Sequence, residues 1–279
     1  MRKLSELVVL IKGAGEVASG IAHKLHRSHF RVCLTEIPLP LAVSRGTAYS
    51  EAVFDGTQTI EGVTAELVPL ALKDIRLAWQ RGNIALVIDP PTKALTILKP
   101  DVLIDATMAK RNIGTKITDA PLVIGLGSGF TAGRDVHLIV ETLQGPNLGQ
   151  VITAGKAAQN TGEPVIIAGL GKERVVWAPQ LGTFTTNFNI GDRVKAGQTV
   201  GQIAGISLQA PLSGILRGLI RSGVTVREGE KLIEVDAVHD RSICFLIRDK
   251  MRTIAGGVLE AIMIRYNLPG KSGTGASYA

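Results

Sequence analysis

Residues 7–25 read LVVLIKGAGEVASGIAHKL and predict a strand, a glycine turn and a helix in direct succession. Leu7–Ile11 is a continuous apolar run, which is typical of a strand buried on both faces of a sheet. An apolar residue then recurs at every fourth position, as on one face of a helix, at Val17, Ile21 and Leu25. A second strand is predicted at Phe30–Thr35, so this region indicates layers of helix on sheet.

The turn after the first strand matches the phosphate-loop pattern G-x-G-x-x-A at Gly13–Ala18. Gly13 permits the tight turn, and Gly15 lets a phosphate approach the backbone at the amino end of the helix. Glu36 ends the second strand 21 residues after Gly15, where a ribose-binding carboxylate belongs. Glu16 would repel a diphosphate unless it serves as a metal or hydroxyl partner. The segment predicts a nucleotide site; the alternative is a turn that has lost its cofactor.

Three further apolar runs predict central strands that end at one edge of the sheet. They are Ala85–Ile88, Val102–Ile104 and Leu122–Ile124, and they deliver Asp89, Asp105 and Gly125 at their carboxyl ends. Ligands bind at that edge in doubly wound sheets, so Asp105 is a candidate cofactor contact. We therefore predict an α/β fold class, with a doubly wound, Rossmann-like parallel sheet.

Two groups near this edge are candidates for binding a second anionic group of a cofactor. Lys110 and Arg111 follow one of these strands and could meet phosphate or carboxylate groups. Gly125, Gly127 and Gly129 alternate after another strand and could form an anion-binding nest of backbone amides. Surface charge and a tight structural turn are the respective alternatives.

The candidate catalytic residues are Asp135, His137 and Glu141. If residues 135–141 form a strand, these three side chains share one face, because successive side chains alternate between the faces. Two carboxylates and an imidazole on one face could shuttle protons or bind a metal. A solvated strand face is the alternative.

Residues 182–235 change character, with short predicted strands, glycine turns and no helical period. Six positions from Gly191 to Ile203 match six from Gly223 to Val235 at a constant offset of 32 residues, which indicates an internal repeat. The repeat resembles a barrel-sandwich hybrid, the architecture of biotinyl and lipoyl domains. The joining stretch Ala204–Ala210 contains no lysine, so we expect a docking unit without covalent biotin or lipoate.

We predict four segments along the chain. A Rossmann-like nucleotide-binding domain occupies 1–180, a small all-β unit 181–236, a helical segment 237–268 and a disordered tail 269–279. The helix is expected at Arg241–Arg265, where the pair Gly256-Gly257 weakens it and marks a close contact.

Composition and charge bound the class of protein. The chain has 279 residues, 45% of them hydrophobic, which suffices for about two packed domains and excludes intrinsic disorder. The net charge of +7 is scattered, which argues against nucleic-acid binding and leaves a small anionic ligand compatible. No apolar run reaches the ~18 residues of a membrane span. Cys33 and Cys244 cannot make a disulfide framework, so we expect a cytoplasmic protein and leave homo-oligomers open.

Three blocks of sequence, Gly13–Gly20, Asp105–Asn112 and Gly125–Glu141, carry a resemblance to a known family. The turn Gly145–Gly149 and the helix Ala255–Ala261 agree with it. Together they resemble the selenium-dependent molybdenum hydroxylase system proteins of the YqeB type. The resemblance implies an accessory role in maturing a molybdenum hydroxylase client, and it supplies no catalytic residues.

The expected function is therefore a maturation protein that binds a nucleotide or a nucleotide-bearing pterin cofactor. One alternative is an NAD(P)-dependent oxidoreductase of a small metabolite, although the sequence lacks a Tyr-x-x-x-Lys pair. A second alternative is a non-catalytic scaffold with a vacant nucleotide fold. Whether the protein is an enzyme, and whether it binds a metal, stays open at this point.

Overall fold

A computed structural model describes residues 3–89, 93–160, 162, 164, 166, 169–238 and 240–268. The tail 269–279, for which we predict disorder, lies outside the described residues.

A nine-stranded sheet forms the larger part of the molecule. Its strands are β1 (Val8–Lys12), β2 (Arg31–Glu36), β3 (Thr57–Ile60), β4 (Val63–Leu67), β5 (Ile84–Ile88), β6 (Val102–Asp105), β7 (Leu122–Leu126), β8 (Leu138–Val140) and β9 (Val151–Ile152). They lie in the order β3-β4-β5-β2-β1-β6-β7-β8-β9. The strands from β4 to β8 pair in parallel, whereas the edge strands β3 and β9 are antiparallel to their neighbours.

The predicted doubly wound, Rossmann-like parallel sheet is therefore wrong, because the sheet is mixed. Its hairpin edge follows from the turn Glu61-Gly62, whose two residues have φ values of 45° and 81°. Positive φ at both central residues is the geometry that joins antiparallel strands through two residues. This turn adds β3 to the sheet beside β4.

Helices cover the sheet. They are α1 (Glu16–Arg27), α2 (Ala52–Asp55), α3 (Leu72–Gln80), α4 (Ala94–Leu98) and α5 (Asp249–Tyr266), with 3₁₀ turns at Leu4–Glu6, Arg45–Thr47, Tyr49–Glu51, Ile117–Asp119, Lys172–Arg174 and Arg241–Phe245. The C-terminal helix thus begins later than predicted. It packs against α1 so closely that a Cβ atom at Gly20 would lie 2.9 Å from Met251 Cβ. The close contact predicted at the Gly256-Gly257 pair is confirmed at Gly257, which abuts the backbone of Gly149.

Residues 175–236 form a second unit, here named the β module. Its strands are β10 (Val175–Trp177), β11 (Gly182–Thr185), β12 (Arg193–Val194), β13 (Thr199–Ile203), β14 (Ile206–Gln209), β15 (Gly214–Leu219), β16 (Thr225–Val226) and β17 (Lys231–Asp236). They form two four-stranded antiparallel sheets, β10-β17-β15-β12 and β14-β13-β11-β16. The 32-residue repeat is visible, since β12 and β13 correspond in position to β16 and β17.

The predicted barrel-sandwich hybrid is nevertheless wrong as a description of these two sheets. The joining stretch does not present a free loop, because Ala204 and Gly205 both have positive φ and turn the chain back on itself. Residues 206–209 then pair with β13 as a strand. The unit also begins before the predicted boundary at residue 181, because β10 pairs with β17.

The β module contacts the α/β part through residues 43–55. The Leu219 amide donates to Val43 O at 2.9 Å, and Arg45 Nε donates to Leu219 O at 2.6 Å. Arg221 forms ion pairs with Glu51 and Asp55. Among the helices that the structure describes, none is long and apolar enough to cross a membrane.

Candidate functional site

A cavity of about 560 Å³ opens at the carboxyl ends of β1, β2, β5 and β6. One wall is the glycine turn that precedes α1, and another is formed by residues 106–109 together with Ile113. Ile37, Leu41 and Ile113 give the rim an apolar surface, and all three are exposed. The cavity therefore combines an apolar entrance with the amino end of a helix.

The backbone of the turn requires glycine at one of its two glycine positions but not at the other. Gly13 has a φ of +93°, and a Cβ atom there would lie 3.1 Å from Ala106 O, so the turn itself requires it. Gly15 has a φ of −68°, and a Cβ atom there would meet nothing within 4 Å. Because Gly15 lines the cavity, the space beside it is free for a ligand.

The amides of the turn are partly used by the protein. Gly13 N donates to Thr35 O, and Ala14 N donates to Glu36 Oε2, both at 2.9 Å. The amides of Gly15 and Glu16 have no acceptor among the described residues, as is usual at the first turn of a helix. Two donors at the positive end of the α1 dipole therefore border the cavity.

Glu36 lies where the sequence predicted it, at the end of β2 and in the cavity wall. Its carboxylate accepts hydrogen bonds from the Ala14 and Ile37 amides at 2.9 and 2.8 Å. Burial raises the pKa of this carboxyl, and the two amide hydrogen bonds oppose the rise. Glu36 thus couples the second strand to the glycine turn.

Lys12 is the site residue that the sequence analysis missed. It is 8% exposed, lines the cavity, and donates from Nζ to Thr115 Oγ1 at 2.7 Å. Thr115 donates in turn to Asp105 Oδ2 at 2.5 Å, and Thr107 Oγ1 donates to Asp105 Oδ1. A cation at the last residue of the strand, directly before the first glycine, was the signal that could have revealed it.

Glu16 lies at the start of α1 and also lines the cavity, but its carboxylate is already paired. Arg217 Nη2 of the β module donates to Glu16 Oε1 at 3.1 Å. Arg248 Nε lies 4.0 Å from the same oxygen. The Glu16 carboxylate is thus an ion-pair partner in this structure, and its role as a metal or hydroxyl partner stays a prediction.

The remaining predicted cofactor contacts do not line the cavity, and ligand roles for them stay predictions. Asp105 is buried and accepts hydrogen bonds from Thr107 and Thr115. It is thus linked to Lys12 through the Thr115 hydroxyl. Lys110 and Arg111 are exposed on the segment beyond the cavity wall.

The three glycines predicted as a nest are each required by close packing. A Cβ atom would lie 2.6 Å from the Phe130 ring at Gly125, 2.2 Å from Thr142 Oγ1 at Gly127 and 2.8 Å from the Arg111 backbone at Gly129. The loop therefore needs these glycines in order to fold, whether or not it binds an anion.

Asp135, His137 and Glu141 are not one strand face, because β8 comprises only Leu138–Val140. Asp135 accepts from Thr131 N and pairs with Arg134, whereas the buried Glu141 accepts from the amides of Thr142, Leu143 and Ala158. None of the three lines the cavity. Their catalytic role stays a prediction, and in the part of the chain that the structure describes no cluster of three His, Cys, Asp or Glu could hold a metal.

His137 has a structural contact that predicts its effect on stability. Its Nδ1 accepts from the amide of buried Val123 at 3.0 Å, so the imidazole is neutral there. We expect His137→Ala to lower the free energy of unfolding by about 1–3 kcal/mol, the cost of an unsatisfied buried amide, in urea denaturation. Nucleotide affinity in the folded variant should equal that of wild type; a weakened affinity would instead support a role at the site.

The same contact predicts a pH dependence. Burial lowers the pKa of His137 below 6.5, and the charge of Arg265 lowers it further. A lowered pKa in the folded state stabilises the protein fully above the unfolded value and loses that effect as the pH falls through the folded value. Urea denaturation at about pH 8 and pH 5 should show a smaller acid loss of stability in His137→Ala than in wild type. An equal loss would contradict this assignment.

The chain is similar to the Escherichia coli K12 protein YqeB, with 42% identity over 257 residues. The match covers 92% of this chain and 47% of YqeB, so the chain spans about half the length of this relative. The match confirms the predicted similarity to YqeB-type proteins. It gives no information on a link to selenium or molybdenum. No protein-family model matches the chain.

Solved structures give only distant similarities. The product-bound ectoine utilization protein EutE (DoeB) of Ruegeria pomeroyi has a TM-score of 0.26 and 11% identity, and covers 84% of this chain and 86% of its own. An aspartoacylase family protein of Mesorhizobium loti has a TM-score of 0.27 and 12% identity, with coverages of 82% and 85%.

Proposed function

We propose that the protein binds a nucleotide, or a nucleotide-bearing pterin cofactor, in the cavity beside Gly15. The observation that carries the proposal is the open space at Gly15, next to a buried lysine and two amides that have no acceptor among the residues described. An anion gains from the helix dipole, from the amides and from the ammonium group together. The apolar rim offers a surface for a planar base.

Each part of such a ligand has a contact of matching chemistry. A phosphate fits against the amides of Gly15 and Glu16, and the ribose hydroxyls can donate to Glu36. Lys12 takes the second anionic group, for which the sequence analysis favoured Lys110 or Arg111. This assignment uses only residues in the wall of one cavity.

The cellular role that we propose for this binding is maturation of a molybdenum hydroxylase that carries labile selenium. It rests on the family resemblance, with the client hydroxylase as partner and the cytoplasm as location. The β module, which carries no covalent group in this proposal, would contact the client. Pull-down of the hydroxylase by the wild-type chain, and loss of its activity when this chain is absent, would support the role; a fully active hydroxylase would contradict it.

The linked groups Lys12, Thr115 and Asp105 favour one second candidate, an NAD(P)-dependent oxidoreductase. A lysine that hydrogen-bonds to a hydroxyl and, through it, to a carboxylate can supply a proton beside a nicotinamide. Calorimetric titration with AMP, ADP, NAD⁺ and NADP⁺ tests both candidates. Nucleotide binding without oxidation or reduction of a small metabolite supports the cofactor-binding role. NAD(P) binding with such a reaction supports the oxidoreductase. If no nucleotide binds, the non-catalytic scaffold with a vacant nucleotide fold is supported.

Replacement of Lys12 by methionine tests the second anionic contact. Lys12→Met keeps the apolar stem of the side chain and removes the charge. We expect ADP affinity to fall about 10–100-fold, the value of a hydrogen bond to a charged group, while adenosine affinity stays unchanged. Lys93→Met, at an exposed lysine outside the cavity wall, is the matched control. Equal loss for ADP and adenosine would argue that Lys12 only supports the fold.

A further inference from the structure

Arg217 of the β module and Glu16 of the glycine turn form an ion pair between two parts of the chain that lie 201 residues apart. Arg217 is 1% exposed, and its other guanidinium contact is a 3.4 Å hydrogen bond to Cys244 O. In the described residues, Glu16 is the one carboxylate within ion-pair distance of Arg217. Nearby Arg248 is shared, because it also pairs with Glu234 at 2.9 Å.

The position of Glu16 conflicts with an anionic ligand unless its charge is balanced. It is the first residue of α1 and follows Gly15, so its carboxylate borders the space where a phosphate would bind. Two like charges at such short range repel, and burial strengthens the repulsion. The α1 dipole stabilises the carboxylate and a ligand phosphate alike, so the dipole does not relieve the conflict.

We propose that the β module completes the nucleotide site, with Arg217 as a positioning residue that neutralises Glu16 and holds it beside, rather than across, the phosphate position. The inference rests on the proposed nucleotide binding at Gly15. It explains why a carboxylate is compatible with a phosphate loop here. It also couples two events, because an anionic ligand binds more tightly when the β module is docked, and the bound ligand favours docking by the same factor.

The coupling has a distinct signature in variants of the full chain. Arg217→Met leaves Glu16 with only the more distant Arg248, which Glu234 shares, so we expect the Kd of ADP to rise about tenfold, within the usual range of coupling between sites. Adenosine carries no phosphate, and its Kd should change less than about twofold. Glu16→Gln removes the repelling charge and should bind ADP at least as tightly as wild type. The double variant Glu16→Gln/Arg217→Met should recover wild-type ADP affinity to within about threefold.

Calorimetric titration of ADP and adenosine into the four proteins tests the proposal, with circular dichroism melting as a check on folding. Equal weakening for ADP and adenosine in Arg217→Met, or no recovery in the double variant, would overturn it by making Arg217 purely structural. If Arg217→Met does not fold, the Glu16→Gln variant tests the proposal by itself. ADP binding as tight as in wild type, or tighter, supports the proposal, and weaker ADP binding contradicts it. Wild-type protein that binds no nucleotide overturns the proposed function and this inference with it, whereas wild-type binding without coupling overturns this inference alone.

Discussion

A Gly15→Val variant is expected to fold normally and to lose nucleotide binding by at least about 100-fold. The backbone at Gly15 has a φ of −68°, which valine adopts, and a Cβ atom there meets no protein atom within 4 Å. The new isopropyl group must therefore point into the cavity, where it occupies the position of the phosphate. Its melting temperature should stay within about 2 °C of wild type, since surface changes without lost contacts are worth about 0.5 kcal/mol or less.

Gly256→Val is the matched control for this experiment. Gly256 also has open space at its Cβ position and lies on α5, outside the cavity wall. The same chemical change there should leave ADP affinity unaltered. If Gly15→Val still binds ADP with wild-type affinity, the ligand does not lie against the glycine turn.

The largest expected effect on stability comes from Gly257→Ala. A Cβ atom at Gly257 would lie 2.0 Å from Gly149 O and 2.9 Å from Val140 Cγ1, so α5 has to move away from the sheet. Overpacking typically costs about 1–3 kcal/mol, and a clash with backbone atoms places Gly257→Ala at the upper end of this range, near 3 kcal/mol. At about 2–4 °C per kcal/mol for a chain of this size, the melting temperature should fall by about 6–12 °C.

The neighbouring glycine provides the control for this prediction. Gly256→Ala adds the same methyl group to the same helix where nothing stands within 4 Å. Alanine favours a helix interior by about 0.5–1 kcal/mol over glycine, so this variant should melt at the same temperature as wild type or slightly higher. Similar melting of the two variants would contradict the close approach of α5 to Gly149.

The sequence predicted the central strands of the sheet but not its edges. β1 and β2 flank the glycine turn, and their apolar runs are unmistakable because both faces of these strands are covered. The hairpin Thr57–Leu67 has no such run, since β3 is mostly polar and β4 alternates apolar and polar residues. The turn Glu61-Gly62 is the signal that indicates this hairpin, whereas the apolar runs alone predict a wholly parallel sheet.

The sequence predicted those parts of the candidate site whose geometry is set by elements that are consecutive in the chain. Gly15 and Glu36 lie in the cavity wall because the strand, turn and helix that position them are consecutive. The pairing of Glu16 with Arg217 depends on how the β module packs, which no local pattern encodes. His137 and Glu141 accept hydrogen bonds from backbone amides, and a residue type alone does not distinguish such an acceptor from a catalytic group.

The most direct test of nucleotide binding at the glycine turn is the amide NMR signal of Gly15 and Glu16 during titration with ADP. We expect both signals to shift progressively with ADP and to stay fixed with adenosine, because only the phosphates reach these amides. The Gly256 signal should not move in either titration. Unchanged Gly15 and Glu16 signals at saturating ADP would contradict the account.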